Sequence, residues 1–193
     1  MQKNRPLWTR GGEVAPRLIP MWKAAAIATA TIALASCTQA GPADRSESQA
    51  STVPAIAMPA GATPATVNYV HDGDTLFLTT PTDPNLKVRL IGIDTPEVGD
   101  NLECYGDEAT AILRGVLPEG STVFITPDRE PLDQYGRSLL YVFTAEGSSV
   151  NLTMITSGAA EAVRIGQNDA YWEQLSTAES IAASTGAGMW GAC

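Results

Sequence analysis

Short β-rich runs separated by turns constrain the fold of this chain more than any other feature of its sequence. Residues 66–80 contain one such run before Asp72-Gly73 and one after it, which is a strong β-hairpin signal. Three more β-rich runs follow, at 86–94, 121–127 and 137–145. Segments with helical spacing interrupt or follow them, at 105–120, 149–160 and 168–186. Because strands and helices do not alternate regularly, we predict an α+β fold, a small antiparallel barrel of five strands with three helices packed outside it.

The N-terminal segment has the pattern of an export signal. Five of the twelve Lys and Arg residues lie in the first 23 positions, and a short apolar run of small residues follows them. This run is shorter than the ~20 apolar residues that a membrane-spanning helix needs. It ends in Leu-Ala-Ser-Cys, residues 34–37, which resembles a bacterial lipobox. We therefore predict a lipoprotein signal peptide over 1–36, with Met21 as an alternative start, and a lipid on Cys37.

Lipidation of Cys37 would make this an exported, extracytoplasmic protein that is anchored to a membrane. An ordinary signal peptide on a secreted protein is the alternative. The segment that follows, up to residue 63, is rich in Ala, Pro, Ser, Thr and Gly, which favours a flexible tether over 37–63. Residues 64–193 then have a suitable length for one compact domain.

The cysteine count fits this interpretation. The chain has three cysteines, and a lipid on Cys37 would leave Cys104 and Cys193 as a possible disulfide in an oxidising compartment. Two free thiols are the alternative.

The charge of the predicted domain argues against a general nucleic-acid-binding surface. From residue 64 onward there are 18 acidic and six basic residues, which give a net charge of −12. A basic stripe for a polyanion is therefore absent. Any chemistry on a polyanion would need a local cationic pocket or a bound metal ion.

Several side chains at the predicted hairpin and after the third strand are suited to such a site. Asp74 follows the Asp72-Gly73 turn, but the spacing excludes an EF-hand because Leu76 and Phe77 occupy its fifth and sixth positions. The single histidine, His71, excludes a site built from several histidines. Strand alternation would send Arg89 and Asp94 to opposite faces, so they can meet only if the strand twists or bulges, for which Gly92 is a plausible place.

Four motifs together resemble the staphylococcal nuclease (thermonuclease) family. They are "DGDT", "RLIGIDTPE", "ECYGDEA" and "DQYGR", followed by "VN", and the resemblance covers about residues 66–190. It implies an oligonucleotide-binding-type (OB-type) barrel of five strands with three helices. It also implies calcium-dependent hydrolysis of single-stranded or frayed DNA, and of RNA, that leaves 3′-phosphate ends. We expect a monomer with no obligate protein partner.

The same resemblance assigns roles to individual residues. Asp74 and Asp94 would be carboxylate ligands of Ca²⁺, and Thr95 would add its backbone carbonyl. Glu97 would be the general base, or would orient the attacking water. Arg89 and Arg137 would hold the phosphate that is cleaved, and Tyr135 would contact the phosphate on its 3′ side.

The sequence departs from the family at two positions of the expected nucleotide site, and the Cys104/Cys193 pair is not part of the namesake's pattern either. Gln134 stands where the family often has a lysine, and Arg164 lies at about the place of the tyrosines that stack on the base. Because of the acidic charge, a catalytically inactive, nuclease-like binding domain on a surface lipoprotein is the alternative function.

Overall fold

The computed structural model of the protein describes residues 52–53 and 55–193. The predicted signal peptide, the lipid site at Cys37 and most of the predicted tether lie outside the described residues. The strands are β1 (Thr63–Val70), β2 (Thr75–Thr79), β3 (Leu86–Leu90), β4 (Ile93–Asp94), β5 (Thr122–Thr126), β6 (Ser138–Thr144) and β7 (Glu161–Ala162).

Five of these strands close into a barrel in the order β1-β2-β3-β6-β5, which confirms the predicted five-stranded barrel. Hairpin β1–β2 and the pairs β2–β3, β1–β5 and β5–β6 are antiparallel. The pair β3–β6 is parallel, so the expectation of an entirely antiparallel barrel is wrong. The cause is the order of the strands, because β5 pairs with β1 and not with β3. Strand β6, antiparallel to β5, then closes the barrel against β3 in the parallel direction.

The inside of the barrel is filled by alternate residues of its strands. In β2 these are Leu76 and Leu78, and in β3 they are Val88 and Leu90, all with no exposed surface. Their neighbours on the same strands, including Thr75, Phe77 and Arg89, lie on the outer face because side chains alternate along a strand. The outer face of β2 and β3 is therefore available for polar side chains that do chemistry.

The helices are α1 (Gly106–Val116), α2 (Val150–Thr156), α3 (Trp172–Thr185) and a one-turn α4 (Met189–Ala192). The first three confirm the predicted helices. Ser149 caps α2 by accepting a hydrogen bond from Leu152 N, and Gly186 ends α3 in a left-handed conformation. None of the helices in the described part of the chain is long and apolar enough to cross a bilayer.

The folded part of the chain begins before the boundary that the sequence suggested at Pro64. Strand β1 starts at Thr63, and Ile56 is only 5% exposed as a member of the hydrophobic core. Val53 and Met58 also pack against this core. The richness of residues 37–63 in Ala, Pro, Ser, Thr and Gly suggested a tether, and a few apolar side chains pack the end of this segment against the core.

Cys104 and Cys193 form a disulfide, with their Cα atoms 6.0 Å apart. The bond joins α4 to the connection between β4 and α1, across a sequence separation of 89 residues. In the chain-entropy account, a closed loop of this length stabilises the folded state by about 4–5 kcal/mol because it restricts the unfolded chain.

We expect the Cys104→Ser/Cys193→Ser double variant to have a free energy of unfolding about 3–5 kcal/mol lower than the wild type. The measurement is urea unfolding of the full chain, followed by circular dichroism. Reductant should destabilise the wild type and leave the double variant unchanged. A Cys37→Ser variant should respond to reductant as the wild type does. Equal stability of wild type and double variant under oxidising conditions would contradict the prediction.

Candidate active site

The hairpin between β1 and β2 places Asp74 at the edge of the barrel. The Asp72 carboxylate accepts hydrogen bonds from the backbone N–H of Asp74 (3.1 Å) and of Thr75 (2.7 Å), which fixes the turn. Asp74 is then only 7% exposed, and its Oδ1 accepts a hydrogen bond from the Thr75 hydroxyl at 3.1 Å. Its Oδ2 lies 3.3 Å from both the backbone N and the Oγ1 of Thr95.

Arg89 is a buried cation held by four acceptors. Its Nη2 lies 2.9 Å from Asp74 Oδ2 and 2.6 Å from Asp94 Oδ1. Its Nη1 donates to two backbone carbonyls, those of Leu90 at 2.9 Å and Ile93 at 2.7 Å. Arg89 lies opposite Thr75 in the β2–β3 ladder, so the guanidinium binds the hairpin, β3 and β4 together.

The chain turns sharply between Arg89 and Asp94, at the position that the sequence suggested. Strand β3 ends at Leu90, Gly92 has φ of +78°, and β4 begins at Ile93. This conformation favours glycine, and a Cβ at this position would lie 2.6 Å from Leu175 Cδ1. The turn brings Asp94 back to Arg89, which an unbroken strand would not do.

A buried asparagine, to which the sequence motifs gave no predicted role, holds this turn. Asn151 in α2 donates through Nδ2 to the carbonyl of Ile91 at 2.7 Å. Its Oδ1 accepts from the backbone N–H of Val142 at 3.0 Å. Asn151 is the second residue of the "VN" motif, so the signal was present in the sequence, but its long-range partners were not.

Arg137 is placed by a carboxylate from its own turn. Its Nε donates to Asp133 Oδ2 at 2.6 Å, and Asp133 Oδ1 accepts from the backbone N–H groups of Tyr135 and Arg137. Burial raises the pKa of Asp133, but the hydrogen bonds from Arg137 and Tyr135 outweigh it, and the net pKa lies below its usual range. Asp133 therefore stays ionised beside Arg137 at neutral pH.

The two arginines belong to one network of contacts. Arg137 Nη1 lies 3.5 Å from Thr75 Oγ1, and the Thr75 hydroxyl donates to Asp74, which pairs with Arg89. Thr75 and Asp133 both lie within the motifs "DGDT" and "DQYGR", where neither was predicted to have a role. Thr75 meets Arg137 across 62 residues, whereas Asp133 meets it within one turn.

The side chains of two predicted site residues, Glu97 and Tyr135, form no hydrogen bond with this network. Glu97 is exposed in the loop after β4, and its carboxylate makes no hydrogen bond or ion pair within the described residues. The backbone N–H and C=O of Glu97 are both bound to Glu103. Tyr135 is 76% exposed, with its ring centroid 5.6 Å from the Arg137 guanidinium carbon.

Arg164, at the place of the family's stacking tyrosines, already stacks within the protein. Its guanidinium carbon lies 4.6 Å from the centre of the Trp172 ring. A planar cation on an indole ring is a favourable contact, so Arg164 is not free to stack on a base without leaving it.

The donor atoms around Asp74 fit a hard cation such as Ca²⁺. The two carboxylates of Asp74 and Asp94 contact the same Arg89 nitrogen, and the Thr95 backbone follows Asp94 directly. Burial raises the pKa of Asp74 to about 6, although Arg89 acts in the opposite direction, so one guanidinium does not fully compensate this carboxylate. In the part of the chain that the structure describes, no three His, Cys, Asp or Glu side chains form a metal-binding group. The remaining ligands would therefore be backbone oxygen, water and substrate.

The fold and the arrangement of charges are those of a barrel with a candidate phosphate-binding site. They combine a five-stranded OB-type barrel with a paired arrangement of arginines and carboxylates on its outer face. The family model of the staphylococcal nuclease homologues matches residues 87–192 of this chain. The chain therefore belongs to this family.

Several relatives are nucleases by name. The endonuclease YhcR of Bacillus subtilis (strain 168) is 31% identical over 134 residues, which is 64% of this chain and 11% of YhcR. The thermonuclease of Staphylococcus intermedius is 32% identical over 127 residues, which is 64% of this chain and 74% of that protein. The thermonuclease of Staphylococcus hyicus is 29% identical over 124 residues, 63% of this chain and 72% of that protein. The chain thus spans most of the thermonucleases but about a tenth of YhcR.

We expect Asn151→Ala to lower both stability and nuclease turnover. It would leave the Ile91 carbonyl and the Val142 N–H unpaired in the core, at a cost of about 2–5 kcal/mol. The loosened turn would also let Asp94 move away from Arg89. The measurements are urea unfolding and the rate of DNA hydrolysis at a temperature where both proteins are folded.

Asn168→Ala is the matched control. Asn168 is also buried and makes two hydrogen bonds, but both go to the backbone of Glu130. This variant should lose stability and keep its turnover per folded molecule. If the two variants lose turnover equally, Asn151 has no special part in placing Asp94.

Proposed function

We propose that this protein is a calcium-dependent endonuclease that cleaves single-stranded or frayed DNA, and RNA, and leaves 3′-phosphate ends. The observation that carries the proposal is the network from Arg89 through Asp74 and Thr75 to Arg137. It brings two guanidiniums and two carboxylates together on the outer face of a barrel whose overall charge is acidic. The relatives named endonuclease and thermonuclease support the same chemistry.

The arginines are the groups that would bind the reacting phosphate. Guanidiniums donate in a planar fork that suits phosphate oxygens, and their contacts strengthen as negative charge develops in the transition state. Arg89 now shares Nη2 between Asp74 and Asp94. Arg89 can therefore bind a phosphate only if another cation neutralises the carboxylates of Asp74 and Asp94.

A calcium ion held by Asp74, Asp94 and the Thr95 carbonyl would supply that neutralisation and would polarise the phosphate. Glu97 has a free carboxylate within the described residues and lies three positions after Asp94, so it is suited to accept a proton from the attacking water. Water would add to phosphorus as the bond to the 5′ oxygen breaks. The leaving oxygen would take a proton from solvent, which gives a 3′-phosphate and a 5′-hydroxyl.

We expect the full chain to hydrolyse single-stranded DNA with Ca²⁺ and to lose this activity with a chelator. Glu97→Gln should lower the turnover number by about 100-fold or more, because it removes the proton acceptor. Arg137→Lys should lower it by roughly 100- to 1,000-fold, because a lysine cannot replace the forked donors. The measurement is the release of acid-soluble nucleotides, with end-group analysis of the products.

Glu119→Gln is the control, because Glu119 is an exposed acid at the turn after α1. It should hydrolyse DNA at the wild-type rate. The enzyme proposal fails if the wild type shows no calcium-dependent cleavage. In that case the inactive, nuclease-like binding domain becomes the better description.

We further propose that the protein acts outside the cytoplasm as a lipid-anchored monomer. The disulfide between Cys104 and Cys193 supports an oxidising compartment, and the lipobox-like segment ending at Cys37 supports the anchor. Membrane-extracted protein should carry a diacylglycerol on Cys37 by intact-mass measurement. The Cys37→Ala variant should leave the membrane fraction. A mature protein that starts elsewhere without lipid would contradict this proposal.

A further inference from the structure

An exposed tyrosine and a half-buried phenylalanine lie beside the candidate active site, on the outer face of the barrel. Tyr69 in β1 and Phe77 in β2 stack with their ring centroids 4.6 Å apart and their planes 12° from parallel. Lys87 in β3 places its ammonium 5.7 Å from the centre of the Phe77 ring. We call these three residues the aromatic row. It runs across three neighbouring strands, and Tyr69 is 40% exposed.

The register of the strands fixes the position of this row relative to the arginines. Phe77 pairs with Lys87, and two residues further along the same strands Thr75 pairs with Arg89. Two residues of a strand span about 7 Å, and alternation keeps i and i+2 on one face. The aromatic row is therefore the next rung of the sheet after the rung that carries Arg89.

A β-bulge turns Tyr69 to this face. The β1–β2 register shifts between Val67 and Tyr69, so Asn68 is an extra residue in β1. Val67 points into the barrel, and without the bulge Tyr69 would point inward as well. Asn68 is held in place by a hydrogen bond from the Thr79 hydroxyl (2.8 Å) and by one to the Pro84 carbonyl (3.0 Å).

Lys87 adds an exposed positive charge to this side of the barrel. It forms no ion pair with the described residues. It is therefore a cation with its charge available for a phosphate. Parallel aromatic rings beside a cation that forms no ion pair are elements that bind single-stranded nucleic acids, because every base has a flat face that can stack.

We propose that the two rings of the aromatic row stack on one flanking base of a single-stranded substrate, while Lys87, its third member, contacts a neighbouring phosphate. This inference rests on the proposed function, because it treats the network around Arg89 and Arg137 as the place of cleavage. Continuity with that network argues for nucleic acid as the occupant. It also explains how an acidic domain can hold its substrate: stacking does not require a basic surface. A duplex cannot use the row, because its bases are already stacked and paired.

The test is direct binding of a fluorescein-labelled 12-nucleotide oligo-dT to the full chain, measured by anisotropy in EDTA so that no strand is cut. We expect the Tyr69→Leu/Phe77→Leu double variant to bind the single strand roughly tenfold more weakly or worse, since stacking contributes about 1–3 kcal/mol per base. Leucine keeps an apolar side chain on the strand but removes the flat ring. Tyr69→Phe keeps the ring and should bind as the wild type does.

Salt dependence separates stacking from charge. Lys87→Gln should reduce the slope of log Kd against log salt concentration by about 0.7, because one phosphate contact to a single strand is lost. The double leucine variant should keep the wild-type slope. A blunt 12-base-pair duplex should bind the wild type and the double variant with equal affinity. Thermal unfolding of each variant checks that it is folded.

Equal single-strand affinity of the wild type and the double variant would overturn the proposal. A concentration-dependent dimer that the double variant loses would also overturn it, and would assign the row to a second copy of the chain. Hydrolysis assays on the same proteins keep the two proposals apart. Cleavage without any effect of the ring variants refutes the aromatic row alone. Ring-dependent binding by a wild type that never cleaves refutes the nuclease proposal alone.

Discussion

The buried guanidinium of Arg89 is the constraint on which the site depends. A cation taken out of water is costly unless opposite charges and hydrogen-bond acceptors surround it. Arg89 meets this requirement with the carboxylates of Asp74 and Asp94 and two backbone carbonyls. These acceptors come from the β1–β2 hairpin, from β3 and from β4. Satisfying one side chain thus aligns three separate segments of the chain.

That requirement extends to residues that never touch the charge. Asp94 reaches Arg89 only because the chain turns at Gly92, and the turn is held from below by Asn151. Arg137 joins through the hydroxyl of Thr75 and is aimed by Asp133. The positions of the functional side chains therefore depend on residues around them that do not themselves carry the predicted chemistry.

Much of this was predictable from sequence because it is local. The Asp-Gly hairpin, the five short strands and the break at Gly92 all follow from turn chemistry and from side-chain alternation. The roles of Thr75 and Asn151 were not predictable in the same way, because their partners Arg137 and Ile91 are brought to them by tertiary packing. The packing of Ile56 and the stacking of Arg164 on Trp172 were missed for the same reason. Asp133 was missed although its partners Tyr135 and Arg137 lie in its own turn. The bulge at Asn68 was missed because it breaks the alternation on which strand prediction relies.

The disulfide ties the far end of the chain to the loop that presents Glu97. Glu103 bonds to both backbone groups of Glu97, and the next residue, Cys104, is joined to Cys193. In a reducing environment this loop would lose the disulfide and keep only its hydrogen bonds. The covalent support of the loop around Glu97 therefore depends on the redox state of the surroundings. Under the proposed export, the disulfide would form only after the chain has left the compartment that holds the cell's own nucleic acids.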